Sequence, residues 1–287
     1  MIFSSSGKQT VVVEGEADYR LFRQWLLEKN ARLENVNGKP NVKLVWQEAK
    51  QRKFQSIHCL ADLDYDLVVS DRPIFDSQFI YISLEGDSAA ADAECNDIES
   101  TLIRSHALAK VMSQKYRGRE LYDNFDFRIE DLRERLRIAA SAIGAFRAAD
   151  LHVQKSRRLS AIGGDLPIDD SFYDAESVFL DVKVLTSALS RSSRAGQGAM
   201  DEVIDVAGKL LKEYETGWKL CRGHDLTEML AMHVSVLISR NVSQREIEED
   251  LRMACELETI RSTRFGARLL RIGHATGKPL LGVASSL

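Results

Sequence analysis

The sequence predicts an α/β fold: a parallel-stranded sheet flanked by helices, followed by a mainly helical C-terminal region. Three observations carry this expectation. Short β-branched or apolar runs recur through the first 100 residues, amphipathic stretches lie between them, and beyond Asn96 the helical period dominates. With 287 residues, 44% of them hydrophobic, the chain is long enough for one large domain or two modest ones. The expected division is an α/β domain over residues 1–120 and a mainly helical region over 121–287, with a small β insertion, packed on the first.

Each element has its own justification. Thr10-Val11-Val12-Val13 is a β-branched run suited to a strand buried on both faces. Leu21, Phe22, Trp25 and Leu26 recur at helical spacing, so Ala17 to Lys29 is expected to be a helix returning over the sheet. Asn37-Gly38-Lys39-Pro40 reads as a turn, Val42 to Trp46 as a second strand and Gln47 to Phe54 as a polar helix. Ile57 to Ala61 and Phe79 to Leu84 complete the strands. Asp97–Lys115, Glu130–Arg147 and Met200–Tyr214 carry apolar residues three and four apart. Lys155 to Asp181, with Gly163-Gly164 and Pro167, fits a hairpin or a β-loop insertion, and Ser190 to Gly198 is the best linker candidate. Asp225-Leu-Thr-Glu228 and Ser243-Gln-Arg-Glu246 both have capping-box spacing.

Composition excludes several classes. Lys and Arg number 39 against 43 Asp and Glu, a formal charge of -4, so nucleic acid cannot be held by bulk charge and needs local basic patches or bound metal. No segment approaches the roughly 18 apolar residues of a membrane span, and Met1 to Thr10 has no signal-peptide character. A cytoplasmic protein without a membrane partner is expected. Cys59, Cys95, Cys221 and Cys255 are scattered and read as reduced thiols.

The chemistry gathers in acidic residues at strand ends. Glu14 follows the first strand, Asp62-Leu63-Asp64 ends the third, and Asp97 and Glu99 follow the fourth. Residues two apart on a strand share a face, so Asp62 and Asp64 are expected to point together. Carboxylates converging at the carboxyl edge of a sheet repel one another unless a cation lies among them. Mg²⁺ is the natural ion, with Mn²⁺ as substitute, since it takes hard oxygen ligands and leaves coordination places for substrate phosphates. A pair of such ions about 4 Å apart clamps the two oxygens of a phosphodiester exchange. Taken singly, each residue has a plainer reading: a solvated carboxylate, an acid favouring a helix start, or, for Asp97, an N-cap.

Together, Val-Val-Val-Glu14-Gly-Glu-Ala-Asp18, Ala-Asp62-Leu-Asp64-Tyr-Asp66, Asn-Asp97-Ile-Glu99-Ser and Gly223-His224-Asp225 resemble the Toprim-like, OLD-related nucleases of bacterial phage-defence systems, the group that includes the effector of PARIS systems. The likeness covers roughly the first 110 residues and touches the rest at the last motif. It implies a Toprim-like sheet and a metal-dependent endonuclease. Glu14 is then general acid/base or metal ligand, Asp62 and Asp64 hold Mg²⁺, and Glu99 and Asp66 are further ligands. It also implies a separate ABC-type ATPase that controls release of this subunit, with RNA, tRNA in particular, as the preferred substrate. A DNA nickase, or a catalytically silent protein-binding module, are the alternatives; a homodimer is allowed for.

His224 is a candidate for orienting a phosphate or shuttling a proton, against the reading that it is a turn residue before a helix capped by Asp225. Lys219 is a weaker candidate for offsetting transition-state charge. Two runs lack acids altogether, Arg104 to Arg119 and Arg261 to Lys278, and suit either phosphate contacts or a solvated or docking face. Ser6-Gly7-Lys8-Gln9-Thr10 is no phosphate loop, because it precedes its strand and lacks the upstream glycine. Without a nucleotide loop this chain is not expected to hydrolyse ATP, and with no local Ser/His/Asp or Cys/His signature covalent hydrolase chemistry is a weak option.

Overall fold

In the computed structural model, which describes residues 7–69, 74, 76–82, 97–116, 125–162, 166–193, 195–215 and 217–282, the apolar runs of the N-terminal third pair as parallel strands. β1 (Gln9–Val13), β2 (Ala31–Asn35), β3 (Ile57–Asp62) and β4 (Phe79–Ile82) form one sheet in the order β2-β1-β3-β4. Every pairing is parallel, and Val12 stands between Glu34 and Cys59. β1 and β3 are central and buried on both faces, so their apolar residues run without alternation. The helices are α1 (Glu16–Arg23), α2 (Lys39–Gln51), α3 (Asp66–Val69), α4 (Ile98–Arg104), α5 (His106–Gln114), α6 (Phe125–Arg157), α7 (Val182–Ser192), α8 (Gln197–Glu213), α9 (Gly223–Ile238), α10 (Gln244–Ala254), α11 (Leu257–Ser262) and α12 (Arg264–Thr276). β5 (Tyr173–Asp174) and β6 (Phe179–Leu180) make the hairpin expected between Lys155 and Asp181.

The chain steps from β1 to β2 in one direction and back across β1 to β3 in the other. Right-handed crossovers therefore put α1 and α2 on opposite faces of the sheet. Under α2, Val42 and Ala49 pack on Val12, Cys59, Ala61 and Phe79. Elsewhere Phe22 of α1 meets Phe265 of α12 edge to face, 5.8 Å between centroids. The C-terminal segment is sewn to the end of α1: Leu27 N–H donates to Leu280 O at 2.8 Å and Gly282 N–H to Trp25 O at 2.9 Å.

The chain divides into two units: Met1–Leu63, Arg72–Ile98 and Cys255–Leu287 form the first, Asp64–Asp71 and Glu99–Ala254 the second. This differs from the expected division at residue 120, because α12 returns to β4 in the first unit. Ser190 to Gly198 is correspondingly no boundary; it joins α7 to α8 inside the second unit.

The second strand is a correction. Val42 to Trp46 lies within α2, where Val42 and Ala49, two helical turns apart, face the sheet; the true strand is Ala31–Asn35. The first helix ends at Arg23 rather than Lys29, because Leu26 is drawn into an extended bridge with Leu281. The helix expected over Asp97–Lys115 breaks in two at Ser105, whose Oγ accepts from Ala107 N–H at 3.1 Å and caps α5. Ser243 caps α10 as its spacing predicts, Oγ accepting from Glu246 N–H at 3.2 Å. Asp225 does not cap α9: it sits inside the first turn, after Arg222, and accepts two hydrogen bonds from Arg147 of α6 at 2.9 and 2.8 Å. Ser83, Leu84, Cys95, Asn96, Arg117, Arg119 and Gly163-Gly164, named above, lie outside the described residues.

Within the sheet, His58 Nε2 is bonded to Gln9 Oε1 at 2.9 Å across β1 and β3. Burial, with the nearby Arg268 charge second, pushes its pKa down to about 4. The folded value lies below the unfolded one, near 6.5, so the stability gained by keeping His58 neutral is present above pH 6.5 and lost as pH falls toward 4. Urea unfolding at pH 7 and pH 4.5 should show a loss of roughly 2 kcal/mol from this group, and His58→Gln should flatten that slope.

Candidate strand-edge carboxylate site

The site lies where the chain's progression across the sheet reverses. β1 leads away toward β2 and β3 toward β4, so the connections leaving their carboxyl ends run in opposite directions, the kind of switch point at which open α/β sheets bind ligands. Glu14 follows β1 directly and Asp62 is the last residue of β3. The two meet: Glu14 Oε1 accepts the Asp62 backbone N–H at 2.7 Å. The Glu14 backbone is held in turn, its carbonyl accepting Gly38 N–H at 2.7 Å. Gly38 has φ of 109°, a conformation disfavoured for other residues, and opens α2 with Pro40 in the first turn. Asp18 does what an acid at a helix start does, its Oδ2 accepting Gly15 N–H at 3.1 Å.

Lys39 is the residue that sequence reasoning missed. As the first residue of α2 it brings its ammonium to Leu63 O, 3.2 Å away and one residue beyond Asp62, and over the Tyr81 ring at 5.6 Å. The Gly38-Lys39-Pro40 sequence was itself the available signal, since proline suits the first turn of a helix as well as a turn.

Asp64 departs from the expectation that it shares a strand face with Asp62. β3 stops at Asp62, and Asp64, with φ of 48°, lies in a left-handed turn where the period of two no longer applies. Asp66 opens α3. Both belong to the second unit, as do Glu99 and His224, whereas Glu14 and Asp62 belong to the first.

Glu99 is buried and ion-paired to Arg252, which also reaches Glu248 Oε2 at 3.3 Å. His224 Nδ1 lies 2.8 Å from Glu248 Oε1, and Thr227 Oγ1 and Gln244 Nε2 donate to the same oxygen at 3.1 and 3.0 Å. The Glu248 bond, against burial, raises the His224 pKa to about 8; the Glu99 charge adds to it and Arg222 opposes it. Burial alone would raise Glu248, yet the bond and charge of His224 leave it below the usual carboxylate range. Neither Glu248 nor Arg252 stood out in the sequence; their only local signal is the i, i+4 spacing of Gln244, Glu248 and Arg252 on α10.

The basic runs are partly consumed by the fold. Lys115 holds Asp250 through both oxygens at 2.8 Å and Glu246 at 3.0 Å, and Arg104 stacks over Trp218 at 5.2 Å. Arg268 donates to Asp76 O and Ser77 O at 3.3 and 3.1 Å, and Lys278 to Gly7 O. Lys219 lies over the Tyr214 ring at 5.4 Å. Cys59, Cys221 and Cys255 are buried free thiols, and burial, helped by Asp76, pushes Cys59 up to about 12, leaving it protonated.

Among the described residues no three or more His, Cys, Asp or Glu side chains gather into a group able to hold a metal ion. Among the described residues of the first unit, Glu14 and Asp62 are joined through the Glu14 carboxylate and the Asp62 amide. That donor set suits Mg²⁺, which is commonly bound through one or two carboxylates, keeping water and substrate phosphate in its other places, and does not suit Zn²⁺, which wants three or four N or S ligands. No described helix is long and apolar enough to cross a membrane. No family model and no curated protein matches the chain.

Proposed function

We propose that this protein is a divalent-metal-dependent phosphodiesterase of the Toprim-like kind, an endonuclease effector of a bacterial anti-phage system held in check by a separate ABC-type ATPase. One observation carries the reading: the Glu14 carboxylate accepts the Asp62 backbone N–H at 2.7 Å at the switch point of a parallel sheet, which puts both residues at one edge. Glu14, Asp62 and Lys39 have distinct parts. Glu14 is the acid/base or metal-binding carboxylate, Asp62 the second ligand, and the Lys39 ammonium offsets charge on the phosphodiester as the attacking oxygen arrives. Mg²⁺, when bound, supplies Lewis-acid polarisation of the phosphoryl oxygens. The choice of RNA, with tRNA first, and of the ATPase partner rests on the sequence resemblance, and DNA nicking is the alternative within the same chemistry.

The test pairs binding with turnover. Calorimetric titration with Mn²⁺ should give a binding isotherm that Asp62→Asn weakens about tenfold or more. Incubation with Mg²⁺ and total tRNA, with plasmid DNA in parallel, should cleave the RNA and stop on chelation. Unchanged Mn²⁺ binding in Asp62→Asn would remove the carboxylate pair from the reading.

A further inference from the structure

His224 and His58 sit in opposite environments. His58 is 5% exposed, bonded to a neutral amide, and kept uncharged. The His224 side chain is 52% exposed, and its Nδ1 is fixed on a carboxylate that is itself 11% exposed. That carboxylate does not need the histidine for satisfaction: Glu248 Oε1 also receives Thr227 and Gln244, and Oε2 receives Arg252. Gln244 further donates to His224 O at 3.1 Å, tying the start of α9 to α10. A buried acid with this many donors is a rigid mount, and what it mounts is the ring.

The charges around the ring come from two helices and the cap. Glu248 and Arg252 belong to α10, Glu99 to α4, and Arg222 precedes α9. Arg252 balances one of the two acids and a protonated His224 the other, so Arg222 and the positive N-terminus of α9 are left in excess. With Nδ1 turned to Glu248, Nε2 is the ring's outward donor; among the described residues it makes no hydrogen bond.

We propose that His224 is a phosphate-binding imidazolium and that Glu248 is the positioning residue that aims its Nε2–H at a phosphate oxygen. The ligand class is a phosphate group, and its source in a nucleic-acid backbone rests on the nuclease reading above. Charge-assisted donation from a fixed imidazolium to phosphate is short and directional, which suits holding a backbone in register rather than making bulk electrostatic contact.

The test is ring-proton NMR on the full chain, titrated first with inorganic phosphate and then with a short single-stranded oligoribonucleotide. His224 should titrate near 8 without ligand, both ligands should shift its resonance and raise its midpoint, and the oligonucleotide should act at the lower concentration. Glu248→Gln should bring the midpoint toward 6.5 and weaken oligonucleotide binding about tenfold, and Glu248→Asp should recover part of both. His224→Gln, at a half-exposed position, should lose the same binding while melting as wild type does. A His224 resonance that neither ligand moves, in protein whose other resonances report the fold, overturns the proposal. Failure of the nuclease reading is distinguishable: Glu14→Gln would then cleave as wild type does while the phosphate shift at His224 persists.

Discussion

Glu14→Gln is expected to lower phosphodiester cleavage by roughly 10³-fold or more while leaving the fold in place. The substitution keeps a carbonyl oxygen where Oε1 accepts the Asp62 amide at 2.7 Å, so the link between the ends of β1 and β3 survives. What disappears is the negative charge, and with it the metal affinity and the basicity that the proposed chemistry requires. The comparison to make is single-turnover cleavage of labelled RNA against thermal melting of the same preparations. A rate equal to wild type would remove Glu14 from the catalytic reading.

Gly144→Ala is expected to cost roughly 3 kcal/mol or more, about 6–12 °C in melting temperature for a chain of this size. Gly144 lies in the middle of α6, where intrinsic propensity alone would favour alanine. Packing decides otherwise: a Cβ there would stand 1.5 Å from Leu220 O and 3.1 Å from the Tyr65 hydroxyl. The 3₁₀ turn Trp218–Leu220 leads directly into the start of α9, so a shift imposed there is passed toward Arg222 and His224. Circular-dichroism melts measure the first effect, and the His224 ring resonance the second.

The sequence carried β1, β3 and β4 clearly because buried parallel strands need uninterrupted apolar runs, and helices do not supply them at that length. β2 escaped notice for the same reason. As the edge strand it is polar at Arg32 and Glu34, whereas Val42 to Trp46 imitates a strand although its buried residues repeat at helical spacing. The meeting of Glu14 and Asp62 was legible because both stand at the carboxyl ends of neighbouring strands. Lys39 was hidden in an apparent turn, and Glu248 acquires its meaning only when α10 is laid beside α9. Glu99 shows the limit most plainly: its neighbour in space is Arg252, 153 residues along the chain, and no local pattern announces so distant a pairing.

The first unit is interrupted between Ile98 and Cys255, and its last pieces are Phe265 against Phe22 and Leu281 beside Leu26. At roughly 5–20 residues per second, translation of the intervening stretch occupies on the order of ten seconds or more. Throughout that delay a nascent chain holds all four strands without α12, which packs on β4, so the first unit completes its packing only after that helix has been made.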